Sequence, residues 1–340
     1  GEEFINHPVG TGPYQLKEWR RGSKIVLERN PTYREERYPD EGEPGDREAG
    51  LLADAGKRLP LIDRVEISVI EENQPMWRKF MAGDLDMSGI PKDTFDTAIS
   101  PSRTLSPELA AKGIALEVYE DPVTFWFGFN MEDPVVGTNL PLRQAMNLAI
   151  DRDDYLKLFM NNRGLPARGV IPPMLQGYDP EVTSPYTVYD PDAAKQKLKE
   201  AEAVHGGPLP TLVLTMGGTD STARQRGQWI SRSFDQVGID VEVEYMDWPS
   251  AQEKIKGKSA QMYAMGWSAF IPDAENFLQL FYGPNESPGM NAMNYKNPEA
   301  DAMYARLAVM AESPERVALV RQMHQVVLDD LPCVLTIHRT

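Results

Sequence analysis

The stretch from Thr211 to Trp267 constrains the fold more than any other part of the chain. Thr211 to Met216 is an apolar strand, residues 221–237 keep helical spacing and stop at Gly238, and Val241, Val243 and Tyr245 alternate with polar residues in a second strand. Strand, helix and strand joined by short connections form a βαβ unit, which requires parallel pairing. Gln261 to Trp267 adds a further strand. Parallel sheets need cover on both faces, so this stretch commits the chain to an α/β layer arrangement.

The remaining pattern is also mixed. His7 to Tyr14 is turn-rich, Lys24 to Glu28 is a short strand, and residues 34–60 carry Pro, Gly and charges of both signs in an exposed excursion. Val65, Ile67 and Val69 alternate in a half-buried strand; residues 73–82 read as a helix with Asn73 as N-cap, Pro75 in the first turn and Gly83 as the stop. Leu85 to Ile90 then returns as a strand, which predicts a βαβ unit here as well. Val123 to Asn130 is a dense aromatic strand, followed by helices after Pro141 and after Asp151, with Asp154 completing a capping-box-like start. Asp190-Pro191 opens another helix, with Ala194, Leu198 and Ala201 on one face. Helices near 273–282, 298–311 and 314–329 precede a terminal strand, Cys333 to His338. The organisation expected is two α/β lobes, about 1–121 and 122–283, with residues 284–340 returning toward the first.

Composition removes several function classes. Of 340 residues, 35 are Lys or Arg and 51 are Asp or Glu, for a net charge of −16, which disfavours bulk binding to nucleic acid or anionic lipid. No apolar run approaches the roughly 18–20 residues of a membrane-spanning helix. The single cysteine, Cys333, excludes an internal disulfide, and His7, His205, His324 and His338 are scattered, so no metal site is expected. The sequence contains no G-x-S-x-G, H-E-x-x-H or C-x-x-C, and Gly217-Gly218-Thr219-Asp220 lacks the spacing and lysine of a phosphate loop. Asp151, Asp153 and Asp154 suit the positive end of a helix better than a metal. Nothing in these patterns argues for covalent chemistry or hydrolysis, and no catalytic residue and no cofactor are expected.

Aromatic placement suggests where binding occurs. Phe125, Phe127 and Phe129 share one strand face, and Trp126 shares the other with Gly128, so Trp126 is expected to face a cleft. Trp267, Phe270, Phe277, Phe281 and Tyr282 gather where the second lobe ends. Two aromatic-flanked chain crossings between two lobes suit a hinged ligand-binding cleft.

Four stretches carry a family resemblance. HPVGTGPYQLKEW with GSKIVLERNPTY (7–33), PLIDRVEISVI with FMAGDLDM (60–87), FGFNMEDPVVGTNLPLRQAMNLAIDRDDYLKLF (127–159) and MGWSAFIPDAENFLQLFYG (265–283) occur in order, with GVIPPMLQGYDP (169–180) between the last two. In this order they resemble the family 5 extracellular solute-binding proteins, the oligopeptide- and dipeptide-binding components of bacterial ABC importers. The resemblance implies a two-lobed α/β fold of the periplasmic-binding-protein type (type II, large peptide-binding class). It also implies a longer parent chain with a signal peptide, in some members a lipoprotein one, so the first lobe is expected to be incomplete.

The functional expectation follows from the resemblance: a monomer, periplasmic or extracellular, that captures a peptide or other small solute and delivers it to ABC permease membrane subunits. The alternative is the ligand-sensing domain of a transcriptional regulator with the same fold. In peptide-binding members the segment matching Gly266, Trp267, Ser268, Ala269 and Phe270 pairs its backbone with the ligand, and an aspartate takes the peptide amine. Phe270 stands where the family places that aspartate, a loss worth about 2–5 kcal/mol for a buried ammonium. The expected site is therefore Trp126, Gly266, Trp267, Ser268 and Phe270, with a neutral or largely apolar solute stacked on the aromatics. Asp273, three residues on, is the alternative partner for an amine.

Overall fold

A computed structural model describes residues 7–119 and 121–339. It divides into two compact units, one extending to Gly89 and one beginning at Ile90.

In the first unit, β1 (Tyr14–Arg20), β2 (Lys24–Arg29) and β3 (Arg64–Ser68) form an antiparallel sheet in that order. A tight turn joins β1 to β2, with Ser23 N–H donating to Arg20 O at 3.0 Å and Gly22 at a φ of 67° that glycine tolerates without strain. Between β2 and β3 runs the expected excursion, tied at its base by an Arg37–Arg58 bridge and by Tyr38 N–H donating to Lys57 O at 2.8 Å. Helix α1 (Asn73–Ala82) starts one residue after its cap position, Glu72, and ends on left-handed Gly83 as expected. The βαβ unit predicted here does not form. β3 pairs antiparallel with β2, and residues 85–90 are not a strand. They pair with neither edge of that sheet, and Met87 is 78% exposed.

The second unit opens with two short helices the sequence reading missed, α2 (Lys92–Ala98) and α3 (Pro107–Ala110). Strand β4 (Val123–Phe129) follows, then α4 (Leu140–Leu148), α5 (Arg152–Met160) and the two-residue β5 (Leu165–Pro166). Asp151 caps α5 by accepting from Asp154 N–H at 3.0 Å, the role assigned to it in place of metal binding. Helix α6 (Pro191–His205) leads to β6 (Leu212–Gly217), α7 (Ser221–Asp235), β7 (Val241–Met246), α8 (Trp248–Lys256) and β8 (Met262–Ser268). The short α9 (Glu275–Leu278), α10 (Pro298–Leu307), α11 (Pro314–Asp330) and β9 (Cys333–Arg339) complete it.

These strands make one six-stranded sheet in the order β5-β9-β4-β8-β6-β7. The βαβ unit read from residues 211–245 is present, with β6 and β7 parallel from Leu212↔Val241 to Gly217↔Met246. β4 lies inside the sheet, antiparallel to both β8 and β9. That position explains its aromatics. Phe127 and Phe129 enter a core with α4, α6 and α7, while Trp126 enters a second core with Tyr263, α8 and α11. Gly128 is needed for packing, because a Cβ there would lie 2.7 Å from Tyr263 Cζ.

Two boundaries differ from the sequence reading. The units divide at Gly89 and Ile90 rather than near residue 121, because residues 90–119 are anchored to the second unit: Asn161 Nδ2 donates to Lys92 O at 3.0 Å, and the Arg163 guanidinium stacks over Phe95. Residues 284–340 belong to the same unit as 122–283, since β9 is the neighbour of β4.

A polar chain crosses this interior. Thr124 Oγ1 donates to Val170 O (3.0 Å) and lies 2.9 Å from His338 Nδ1, and Val170 N–H donates to His324 Nε2 at 2.9 Å. His338 is thus structural. Burial pushes His324 down to about 3 and His338 down to about 4, with each ring held neutral. Unfolded, both bind protons near pH 6.5, so the unfolded state gains protons first as the medium is acidified. Stability is therefore constant above about pH 6.5 and falls below it, by on the order of 2 kcal/mol per ring on reaching about pH 5. Urea unfolding at pH 7.5 and pH 5 tests this; equal stability at the two would contradict it.

Candidate ligand-binding site

The sheet divides between β6 and β8. These neighbours are parallel and pair only at Leu214↔Met262 and Thr215↔Tyr263. Beyond that point β6 stays with β7 to Gly217↔Met246, whereas β8 stays with β4 to Ser268↔Val123. The helices explain the split. α7 leaves β6 and packs Ile230 and Phe234 on the Phe127 face; α8 returns to β8 and packs Ile255 on the Trp126 face. The two ladders thus diverge toward the carboxyl ends of β6 and β8, the usual ligand position in open α/β sheets.

The far half of β8, from Ala264 to Ser268, thus has β4 on one side and, among the described residues, no strand on the other. Asn130 N–H donates to Gln261 O at 2.9 Å and Ala269 N–H to Pro122 O at 3.1 Å. Backbone groups alternate along a strand, so odd-numbered residues of β8 face β4 and even-numbered ones face away. Gly266 and Ser268 therefore present N–H and C=O to the open edge. An unpaired edge of this kind accepts an extended ligand as an added strand.

Side chains frame this edge. Trp267 is half-buried; its Nε1 donates to Asn276 Oδ1 at 2.9 Å, and its ring meets Phe270 edge-on at 5.4 Å between centroids. Phe270 is 68% and Ile271 59% exposed, an apolar tip just past the strand. A Cβ at Gly266 would come within 2.5 Å of the Phe125 ring, so glycine lets the two strands approach over that aromatic. Ser268 Oγ donates to Asp121 Oδ1 at 2.9 Å. Of the residues expected from sequence, Gly266, Trp267, Ser268 and Phe270 lie together here. Trp126 does not: at 2% exposure it is core, because α8 and α11 cover the face it was expected to open onto. Asp121 was missed, since only strand register reveals its contact with Ser268.

The profile of the bacterial extracellular solute-binding proteins, family 5 Middle, matches residues 1–289. The chain belongs to this family. It is 24% identical over 337 residues to the oligopeptide-binding protein OppA of Bacillus subtilis (strain 168), covering 98% of this chain and 55% of that one. Among solved structures it superposes on the periplasmic binding protein DppA of Helicobacter pylori in complex with peptide STSA, with a TM-score of 0.76, 24% identity, and coverage of 98% and 58%. AppA of Bacillus subtilis in complex with a nonapeptide gives a TM-score of 0.78, 21% identity, and coverage of 98% and 61%. The chain thus spans little more than half the length of these proteins, and the structural likeness establishes the fold.

Asp273, the alternative amine partner considered from sequence, is already occupied. Arg316 Nη2 lies 3.0 Å from Asp273 Oδ2 and 3.3 Å from Glu275 Oε2, while Asp273 Oδ1 accepts Glu275 N–H at 2.8 Å. The Arg316 side chain is only 8% exposed, so this contact is a buried clamp between α11 and the turn into α9. Burial and Glu275, which accepts the Tyr304 hydroxyl, push that phenol upward and add to the cluster. Asp273 thus fixes the loop that carries Phe270 and Ile271. Arg316→Met leaves two carboxylates without their cation and lowers stability by about 1–3 kcal/mol. Urea midpoints of the variant and parent measure this; unchanged stability would show that the clamp holds nothing.

Proposed function

We propose that this chain is the ligand-holding part of a solute receptor serving an ABC importer, and that its solute is a peptide or a peptide-like extended molecule. The observation that carries this reading is the open edge of β8, where Gly266 and Ser268 offer alternating donors and acceptors with no strand beside them. Backbone pairing supplies affinity without regard to side chains, and Trp267 and Phe270 supply an apolar wall. The family is one of binding proteins, and the relatives named above are described by the peptides they hold; the sensing-domain reading finds no support among them.

The receptor binds reversibly and performs no chemistry on its ligand. It works as a monomer outside the cytoplasmic membrane, lipid-anchored or free in the periplasm, and passes the solute to membrane permease subunits. Neutral strand pairing suits such a carrier, because a ligand held by several modest hydrogen bonds can be released when the site opens.

The strand-edge reading makes a register-specific prediction. In a tripeptide that binds the full-length protein, N-methylation of an amide facing β8 weakens affinity about tenfold or more, the equivalent of at least about 1.4 kcal/mol. Methylation of the neighbouring amide, which points away, changes it little. Titration calorimetry distinguishes the two, and equal sensitivity at both positions would contradict strand pairing. Trp267→Ala weakens the unmodified tripeptide about tenfold while the protein stays folded; unchanged affinity would remove this wall from the site.

A further inference from the structure

Three arginines converge on the carboxyl end of α5. Arg103 Nη2 donates to Asn162 O at 3.2 Å. Arg163, the next residue, donates from Nε to Met160 O at 3.0 Å, with its guanidinium 4.6 Å from the centre of the Phe95 ring. Arg339 arrives from β9. Leu165 pairs antiparallel with His338, and a Cβ on Gly164 would lie 2.4 Å from His338 O, so the register sets Gly164 across from Arg339. Burial, Arg339 and Arg103 together hold the Arg163 guanidinium below the ordinary arginine range.

Among the described residues no carboxylate forms an ion pair with any of the three. Two acids on the neighbouring elements are engaged elsewhere. Asp121, two residues before the Val123 that faces Arg339, accepts from Ser268 on the opposite side of β4, and Asp93 is paired with Lys92 at 2.6 Å. The backbone is also costly here: Arg103, Asn161 and Asn162 have left-handed φ of 62°, 51° and 56°, and the Arg103–Asn162 bond joins them.

A helix carboxyl end attracts cations, but its dipole carries only about half a negative charge. Three guanidinium groups exceed that by about two and a half charges. The excess matches a dianion, and planar guanidinium forks suit the several oxygens of a tetrahedral oxyanion. We infer that Arg103, Arg163 and Arg339 bind a tetrahedral dianion of the phosphate type. A chain of net charge −16 has no general attraction for anions, so the attraction here is local. The cluster lies across β4 from β8 and does not depend on the strand-edge reading.

The test titrates inorganic phosphate into the full-length protein at constant ionic strength. The parent binds with a Kd below about 1 mM. Arg339→Gln, which among the described residues removes a charge but no side-chain hydrogen bond, weakens binding at least tenfold. In phosphate-free chloride buffer the variant keeps or raises the parent's thermal midpoint, because repulsion is relieved; a fall would mark Arg339 as structural and counts against the inference. Phosphate at about 10 mM raises the midpoint of the parent and not of the variant. Sedimentation with phosphatidylcholine vesicles carrying phosphatidic acid identifies the source: retention that depends on Arg339, without a response to free phosphate, assigns the site to a lipid headgroup of the same chemistry. Failure of phosphate and vesicles alike to bind the parent, or equal binding by parent and variant, overturns the inference.

Discussion

The pairing of β8 with β4, from Met262↔Phe129 to Ser268↔Val123, sets the direction of every backbone group at the candidate site. One hydrogen-bonded pair fixes the parity of a whole antiparallel ladder, and Asn130 with Gln261 supplies it. Slipping that register by one residue would turn Gly266 and Ser268 inward and present Met265 and Trp267 instead. The register is held by burial on both faces of β4, with Phe127 and Phe129 on one side and Trp126 on the other. Core packing thus fixes which backbone groups the open edge presents.

The open edge of β8 is a consequence of topology. A sheet whose crossover helices alternate faces must part where they diverge, and here that point is the carboxyl ends of β6 and β8. Neither an added domain nor a strained backbone is needed to create an open edge. The clamp of Arg316 on Asp273 and Glu275 then keeps the chain leaving β8 in one place, so the apolar tip at Phe270 and Ile271 stands at the end of the edge.

Much of this was legible in the sequence. The βαβ unit of residues 211–245 and the caps at Asp151 and Asp190 followed from local pattern, and the structure contains them. What was not legible depended on pairing partners. The run from Leu85 to Ile90 reads as a strand, yet it pairs with neither edge of the β1-β2-β3 sheet. Six buried residues in β9 announce burial but not that β4 is the neighbour. Alternation likewise separates the two faces of β4 without saying that both are covered, which is why Trp126 proved to be core. Asp121 is an unremarkable acid until the ladder places it beside Ser268.

In the proposed function, Gly266 and Ser268 pair with an extended ligand through the edge of β8. Amide hydrogen exchange, read residue by residue with and without a saturating tripeptide, tests it directly. Met265 and Trp267, already bonded to β4, are protected from the start, whereas the Gly266 and Ser268 amides gain at least tenfold protection only when ligand is added. Exchange at Gly266 and Ser268 that is indifferent to bound peptide would contradict the account.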